Sequence, residues 1–457
     1  MEPFELNNND TIVAVASPSG KGGVALIRVS GNDALKIAAR AWRGKKLTSV
    51  SSHTVHYGSY ISTSGDVLDE CVATVFLAPA SYTGENTVEF GVHGSEWIQK
   101  EILKDLVRRG ARMAEPGEFT QRAFLNRKLD LAQAEGVADL ISASSKAAHD
   151  LAMRQTDGSF SREFKLLREK LVEFASLIEL ELDFSEEEIE FADRTKLIEL
   201  CSQVKNKVSR LIDSFDKGKV LKNGVPVVIA GVPNAGKSSL LNLILGTDKA
   251  IVTDVPGTTR DLIEDTVELN GILFRFTDTA GIRATNDIVE QIGVNRTFES
   301  LEKAYIAVWV LDMTVPLQPQ LSEYDKFQSN NPSVKTILLL NKSDLEASAD
   351  INLVDALRFS TKTGEGLELL KVRLCELAKE GSELETDLIV TNLRHYEALR
   401  KAAEALSRVE DGLHNALSGE LIAQDIRETL HYLGLITGEI TTDNLLHSIF
   451  SNFCIGK

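Results

Sequence analysis

The sequence predicts a multidomain chain: an α+β N-terminal domain, an α-helical bundle domain, and an α/β domain of the P-loop type inserted into the helical one. Three observations carry this. Gly231-Val-Pro-Asn-Ala-Gly-Lys-Ser238 lies between an apolar run, 225–230, that reads as a buried strand, and a helical stretch, 239–245. Residues 221–380 around it alternate strand and helix as a doubly wound sheet does. On either side of that segment the apolar residues fall at helical spacing, whereas residues 1–118 mix β alternation with short helices.

Length and composition agree with several domains. A chain of 457 residues exceeds what one hydrophobic core organises. With 43% hydrophobic and 26% charged residues it has the balance of a globular protein. Its net charge of −17 argues against indiscriminate nucleic-acid binding. Arg108, Arg109, Arg122 and Arg127 remain candidates for a local basic patch, or for a solvated helix face. No apolar run approaches about 18 residues, so no membrane span is expected. The acidic, polar N-terminus makes no signal peptide. Cys71, Cys201, Cys375 and Cys454 lack metal spacing and suit a reducing, cytoplasmic setting.

The elements follow in order. In the first domain, 11–16 and 24–29 read as strands around Gly20-Lys-Gly-Gly23, and 32–42 as a helix. Strands at 53–60 and 68–77 pair through Ser64-Gly-Asp66. A strand at 87–92 and a helix at 95–109 complete the domain near Pro116-Gly117. The first helical part, 119–220, carries two stripes. One is Leu167, Leu171, Phe174 and Ile178; the other is Leu197, Leu200, Val204, Val208 and Leu211. The acidic run 185–190 between them reads as a solvated turn, and Lys217-Gly-Lys219 as a boundary. Within 221–380, Glu268-Leu-Asn-Gly-Ile272 is a hairpin turn. Helical patterning returns over 381–457.

The chemistry starts at the phosphate loop. Glycines at this spacing let backbone N–H groups close around phosphates, and the helix start adds positive dipole. In the stretch from Asn234 through Ala235, Gly236, Lys237, Ser238 and Ser239, the lysine would reach the outer phosphates and the Ser238 hydroxyl would ligate Mg²⁺. Four further motifs come in the order a Ras-like GTP site requires. The loop of Thr253, Asp254, Val255, Pro256, Gly257, Thr258 and Thr259 offers a second Mg²⁺ hydroxyl, Thr259. Asp278, Thr279, Ala280 and Gly281 end a strand, which brings a carboxylate near the metal and an N–H near the γ-phosphate. Asn341 and Lys342 lead to Asp344, whose carboxylate can accept both N1–H and the 2-amino group of guanine, an edge adenine lacks. Ser360, Thr361 and Lys362 close over the base. Ile282 stands where many GTPases place a water-orienting glutamine, so the hydrolytic group must lie elsewhere.

Outside the nucleotide motifs the chain carries Asp10-Thr-Ile-Val-Ala14, Gly22-Gly-Val24 with Arg28, and Ser81-Tyr-Thr-Gly-Glu85. It also carries Arg122-Ala-Phe-Leu-Asn126, Lys128-Leu-Asp-Leu-Ala-Gln-Ala-Glu135 and a terminal Cys454-Ile-Gly-Lys457. With these it resembles, over nearly its whole length, the MnmE (TrmE) family of tRNA-modification GTPases. Thr361, where alanine is commoner, and Pro256 are the small departures.

The resemblance implies a homodimer that works with a flavin-dependent MnmG (GidA)-like partner in a heterotetramer. It implies GTP hydrolysis coupled to adding an aminomethyl-type group at C5 of the wobble uridine of certain tRNAs. A tetrahydrofolate derivative, 5-formyl or methylene, is the implied one-carbon source. Arg28, Glu89, Lys128 and Lys457 would contact it, with Cys454 beside the one-carbon group. K⁺ is implied beside the phosphates, held by Asn234, Thr253, Val255 and Thr258, and Glu290 is implied in hydrolysis.

Read alone, Arg28 and Glu89 also suit surface charges, and Cys454 an inert thiol. Asn234 also suits a loop brace, and Glu290 the first turn of a helix. A GTP switch of the Era or EngA kind, acting in ribosome or RNA assembly, is the alternative function. It would need no folate.

Overall fold

The computed structural model describes residues 10–183, 194–247, 265–278, 304–345, 353, 355–380, 388–415 and 417–457. One compact unit takes in residues up to 138, 154–202 and 401–457; the other takes in 139–153 and 203–400.

The first unit is built on a seven-stranded sheet in the order β3-β4-β5-β6-β2-β1-β7. Its strands are β1 (Ile12–Val15), β2 (Val24–Ser30), β3 (Trp42–Gly44), β4 (Thr54–Ile61), β5 (Val67–Phe76), β6 (Thr87–His93) and β7 (Arg112–Met113). All pairs are antiparallel except β1 with β7. Helices α1 (Ala34–Arg40) and α2 (Glu96–Arg108) cover one face through a core of Ile27, Val29, Val75, Phe90, Ile102 and Leu106. The opposite side of β1 is also buried: Ile12 and Ala14 pack with Phe119 of α3 (Glu118–Leu125). The expected helix over 32–42 is shorter, because Trp42 leaves it to pair with Tyr60 as edge strand β3.

Long helices follow. In α6 (Ser159–Asp183) Leu167, Leu171, Phe174 and Ile178 are buried as their spacing required. In α7 (Arg194–Asp213) the stripe is Leu197, Cys201, Val204, Val208 and Leu211. Cys201 takes the place expected for Leu200, which is half-buried; steps of four and three residues keep the stripe on one face, and a cysteine is small and apolar enough to serve there. The acidic run 185–190 lies outside the described residues.

The second unit holds a six-stranded sheet in the order β13-β12-β11-β8-β10-β9. The strands are β8 (Val225–Gly231), β9 (Asp265–Leu269), β10 (Ile272–Asp278), β11 (Ile306–Asp312), β12 (Lys335–Asn341) and β13 (Ala356–Arg358). Every pair is parallel except the β9–β10 hairpin. Its turn is Asn270-Gly271, both at positive φ, as the Asn-Gly signal required. All seven residues of β11 are buried, the pattern of a parallel strand covered on both faces. The Lys217-Gly218-Lys219 stretch is not a boundary. It lies inside α8 (Phe215–Asn223), where Gly218 is needed because a Cβ there would sit 2.2 Å from the Val390 carbonyl oxygen. The break comes at Gly224, with φ of 90°. The α/β domain is thus an insertion between helical segments of the chain.

Candidate functional site

Because β8, β10, β11 and β12 run parallel, their C-terminal ends share one edge, where ligands of such sheets bind. The phosphate loop leaves β8 at Gly231, whose φ is 136° and whose added Cβ would lie 2.2 Å from the Val310 carbonyl oxygen. Asn234 is left-handed at φ 59° and exposed. Gly236 is left-handed too, and a Cβ there would strike the Asn341 amide at 2.3 Å. Ala235 is fully buried. Lys237 opens α9 (Lys237–Thr247) and arches over the loop, donating to the carbonyls of Gly231 at 2.8 Å and Val232 at 2.9 Å. Ser238 and Ser239 are exposed on the same first turn. The result is a concave run of backbone N–H groups at a helix start, a preformed anion cradle.

The loops that carry Asn341–Asp344 and Ser360–Lys362 are tied to that cradle. The buried Asn341 donates from Nδ2 to the Ala235 carbonyl at 2.6 Å, and its Oδ1 accepts from the Thr361 N–H at 3.1 Å. The Ser360 hydroxyl donates to Asp344 Oδ1 at 2.7 Å, and its oxygen accepts from the N–H groups of Lys362 and Thr363. That hydroxyl bond holds the Asp344 carboxyl below the usual carboxylate range, with Lys362 adding to the effect from 4.0 Å. Asp344 is therefore an ionised acceptor beside the Ser360–Lys362 loop.

Sequence reasoning missed Asp312. This buried residue ends β11 and pairs with Lys342 Nζ at 2.5 Å, while its other oxygen accepts from the Thr314 N–H and hydroxyl. Burial pushes the Asp312 carboxyl up, but the bonds from Lys342 and Thr314 outweigh it and leave the group below its ordinary value. The available signal was its position: a carboxylate ending a wholly apolar strand beside Asn341-Lys342.

Several expected residues lie outside the description. Residues 253–259 and 279–281, Ile282 and Glu290 are outside the described residues. Asp278 ends β10 opposite Ile229, at the phosphate-loop edge of the sheet.

A second constellation lies in the first unit. Arg28 of β2 and Glu89 of β6 are register partners, and Arg28 Nε donates to Glu89 Oε1 at 2.7 Å. The Arg28 guanidinium sits 5.5 Å from the Tyr82 ring centre and 5.4 Å from that of Phe119. Its Nη1 reaches the Gly456 carbonyl at 3.4 Å, so the terminal motif closes onto the first sheet. Ile455 forms an antiparallel bridge with Pro116, and the Gly117 N–H donates to the Cys454 carbonyl. Gly456 has φ of 97°, and a Cβ would lie 2.2 Å from the Val15 carbonyl oxygen. Cys454 is an exposed free thiol, and the Lys457 N–H donates to its carbonyl. Lys128 lies against the 81–85 loop that carries Tyr82: its Nζ donates to the Pro79 carbonyl, and its stem borders Gly84.

That loop is held by buried charge. Arg122, 2% exposed, pairs with Asp10 at 2.5 Å, Glu118 at 2.9 Å and Glu85 at 3.1 Å. Arg112 pairs with Asp10 at 2.7 Å and Glu118 at 2.6 Å. Burial raises the Asp10 and Glu118 carboxyls, yet the arginine bonds prevail and both stay below their usual values. The Glu118 bond drives the Arg112 pKa upward. Arg122 is therefore no part of a basic patch, because internal acids consume its charge. Arg109 is excluded likewise: it binds Asp105 and the carbonyls of Arg40 and Ile61. Arg108 and Arg127 are exposed.

Among the described residues no helix is long and apolar enough to cross a membrane. Residues 11–128 match the family model described as GTP-binding protein TrmE N-terminus, and residues 131–454 the MnmE helical domain. A tRNA modification GTPase MnmE of Christiangramia forsetii is 49% identical over 98% of this chain and 99% of its own length. The protein of the same description from Cytophaga hutchinsonii is 49% identical over 99% of this chain and 98% of its own. Among solved structures, the G domain of the T. maritima FeoB iron transporter covers 34% of this chain and 98% of its own at 29% identity, with a TM-score of 0.26. With two family models covering nearly its whole length and relatives of this identity, the chain belongs to the MnmE family of tRNA modification GTPases.

Proposed function

We propose that this GTPase is K⁺-dependent and, with a flavin-dependent MnmG-like partner, uses a tetrahydrofolate one-carbon unit to add an aminomethyl-type group at C5 of a tRNA wobble uridine in the cytoplasm. One observation carries the reading. The terminal Cys454–Lys457 motif closes on Arg28, which lies 428 positions before Gly456 and is itself bonded to Glu89, and the motif carries an exposed thiol. A folate offers two carboxylates and a pterin with an N–H edge. Arg28, Lys128 and Lys457 suit the former and Glu89 the latter, and the half-buried Tyr82 ring beside Arg28 supplies a flat apolar wall. When bound, the folate supplies a transferable carbon, and Cys454 is the nucleophilic side chain nearest to hand in the chain's own motif. A homodimer suits this unit, whose β4–β5 face exposes Val55, Tyr57 and Val72.

In the nucleotide domain, Ser238 and Thr259 would hold Mg²⁺, which neutralises phosphate charge. The left-handed backbone at Asn234 directs an exposed amide beside the cradle, a fit for K⁺ completed by Thr253, Val255 and Thr258. Glu290 would accept a hydrogen bond from the attacking water, in place of the glutamine that Ile282 replaces.

Two experiments test this reading. Calorimetry with 5-formyl-tetrahydrofolate should show binding that Arg28→Ala with Lys128→Ala weakens while GTP affinity stands. No folate heat with the intact chain would sink the one-carbon assignment and favour a GTP switch in RNA assembly. Glu290→Ala should keep nucleotide affinity and lose about 10²-fold or more of the K⁺-stimulated hydrolysis. Equal rates in KCl and NaCl would remove the K⁺ role.

A further inference from the structure

Residues 34–65 carry Lys36, Arg40, Arg43, Lys45 and Lys46 and not one aspartate or glutamate. Acids make up 67 of the 457 residues, so a run of this length would ordinarily hold about five. In a chain of net charge −17 this is the reverse of the prevailing balance. The run covers α1, the edge strand β3, a 3₁₀ turn at Leu47–Ser49 and β4.

The charge there is free. Arg40, Arg43, Lys45 and Lys46 are exposed, and among the described residues none of the four makes an ion pair. The acids that border the run are engaged elsewhere. Asp33 pairs with Lys36 at 2.8 Å, and Asp105 lies buried against Arg109. Asp66 accepts from the Ser64 hydroxyl, and Glu70 from the Tyr57 hydroxyl. The backbone beneath the cations is fixed. Arg109 donates from Nη1 to the Arg40 carbonyl and from Nη2 to the Ile61 carbonyl, which clamps the end of α1 to the end of β4. Gly58 lets β3 lie close, since a Cβ there would sit 2.5 Å from the Arg43 carbonyl oxygen. A three-residue edge strand is shielded from pairing by a single charge, whereas these cations continue past it on both sides.

Their position relative to the Arg28 site follows from the register. Arg43 lies opposite Ser59, which lies opposite Glu70 of β5. Four residues further along β5, Thr74 lies opposite Glu89, the partner of Arg28. The even spacing puts Arg43, Glu89 and Arg28 on one face of the sheet. Strands about 4.8 Å apart with a rise of about 3.4 Å per residue set Arg43 roughly 23 Å from Arg28.

We propose that the β3 edge is a docking surface for the phosphate backbone of tRNA, with Arg40, Arg43, Lys45 and Lys46 facing phosphates. The proposal rests on the reading of this chain as acting on a tRNA uridine. Free cations on a fixed backbone are the complement of a polyanion, and a high overall negative charge confines its contact to such a place. The separation from Arg28 leaves the thiol site open to a base while the backbone is held at the edge.

The test uses the full chain with GDP and Mg²⁺ and a fluorescent, unmodified tRNA transcript carrying uridine at the wobble position. Binding is read by anisotropy across a series of KCl concentrations. The triple variant Arg43→Gln, Lys45→Gln and Lys46→Gln should bind at least tenfold more weakly at low salt. Its plot of log affinity against log salt should be shallower by about 2–3, because each phosphate contact contributes about 0.7–0.9. Lys146→Gln, Lys165→Gln and Lys170→Gln together make the same change in net charge from exposed positions elsewhere and should bind within twofold of the wild type. GDP affinity and melting temperature report that both variants are folded. Folate binding by the β3 variant should stand, so failure of this surface and failure of the one-carbon reading are separate outcomes. No tRNA binding by the intact chain overturns the proposal, as does unchanged affinity and slope in the β3 variant. An equal loss in the control variant would reduce the effect to net charge. Polyglutamate that binds as tightly as tRNA through the same residues would assign the surface to an acidic protein instead.

Discussion

The loops at the guanine end of the second unit and the 81–85 loop of the first are both fixed by charged side chains, but with different numbers of them. At the guanine end one buried acid, Asp312, holds one lysine, Lys342, and the rest of the fixing is neutral: Asn341 to Ala235 and Thr361, and Ser360 to Asp344. Under the 81–85 loop, Asp10, Glu85 and Glu118 converge on Arg112 and Arg122. At the guanine end most of the fixing comes from neutral hydrogen bonds, each worth about 0.5–1.5 kcal/mol net. A loop that must stay in place is held by charges that cannot be separated without stranding one of them in a dry interior.

Arg122→Met tests that difference most severely. It leaves Glu118, 2% exposed, and its fellow acids short of a counter-charge, and breaking such a buried pair costs about 3–5 kcal/mol. The first unit should melt well below the wild type while GTP affinity, which belongs to the second unit, stays within twofold. A parallel fall in both would mean that the two regions are one cooperative body. The pH dependence sharpens the test. Asp10 and Glu118 have folded-state values below their ordinary ones, so their stabilisation is present above about pH 4 and is lost as pH falls through the folded values. In the variant those acids keep Arg112 but lose Arg122, so the stability deficit should narrow on acidification.

Asp312→Asn is the matching probe of the guanine end. It keeps the shape and the Thr314 contacts but removes the charge paired with the Lys342 ammonium. Guanine-nucleotide affinity should fall by about 1.5 kcal/mol, roughly tenfold, with little change in melting temperature. Unchanged affinity would leave Asp312 as a strand-end brace only.

The two regions also differ in how far the sequence reveals them. The guanine end was legible because each motif ends a strand and the parallel sheet gathers strand ends at one edge, where the Thr361 N–H donates to Asn341 Oδ1. Asp312 was missed because a lone acid carries no motif. Closure of the tail was not legible in spacing at all. Nothing in the pattern of Cys454-Ile-Gly-Lys457 says that Gly456 meets Arg28 and Val15, and only the resemblance pointed there. Arg122 misled for a related reason: a helix-borne arginine looks solvated until distant acids are seen to enclose it.

Gly456→Ala probes that closure directly. A side chain at φ 97°, aimed at a backbone oxygen, adds strain of about 1 kcal/mol or more. The tail should lift, and hydrogen exchange at the Gly117 amide, which donates to Cys454, should quicken about fivefold or more. Exchange at the wild-type rate would mean that the bridge of Ile455 to Pro116 holds the tail without Gly456.

The smallest effects separate neighbours within the guanine end. The Ser360 hydroxyl is shared by three partners: it donates to Asp344 and accepts from two backbone N–H groups. Its removal leaves the Asp344 carboxylate without the bond that lowers its pKa and leaves both N–H groups to water. Ser360→Ala should therefore weaken GTP binding by about 0.5–1.5 kcal/mol, roughly two- to tenfold. Thr361, next in the chain, contributes through its backbone: its N–H is the group that reaches Asn341 Oδ1 at 3.1 Å. Its hydroxyl meets Asn341 Nδ2 only at 3.5 Å, and that donor already serves Ala235 at 2.6 Å. Thr361→Ala keeps the backbone bond and should bind GTP within twofold of the wild type. A larger loss for Thr361→Ala than for Ser360→Ala, read in the same nucleotide titration, would invert the order in which these bonds support the base-binding loop.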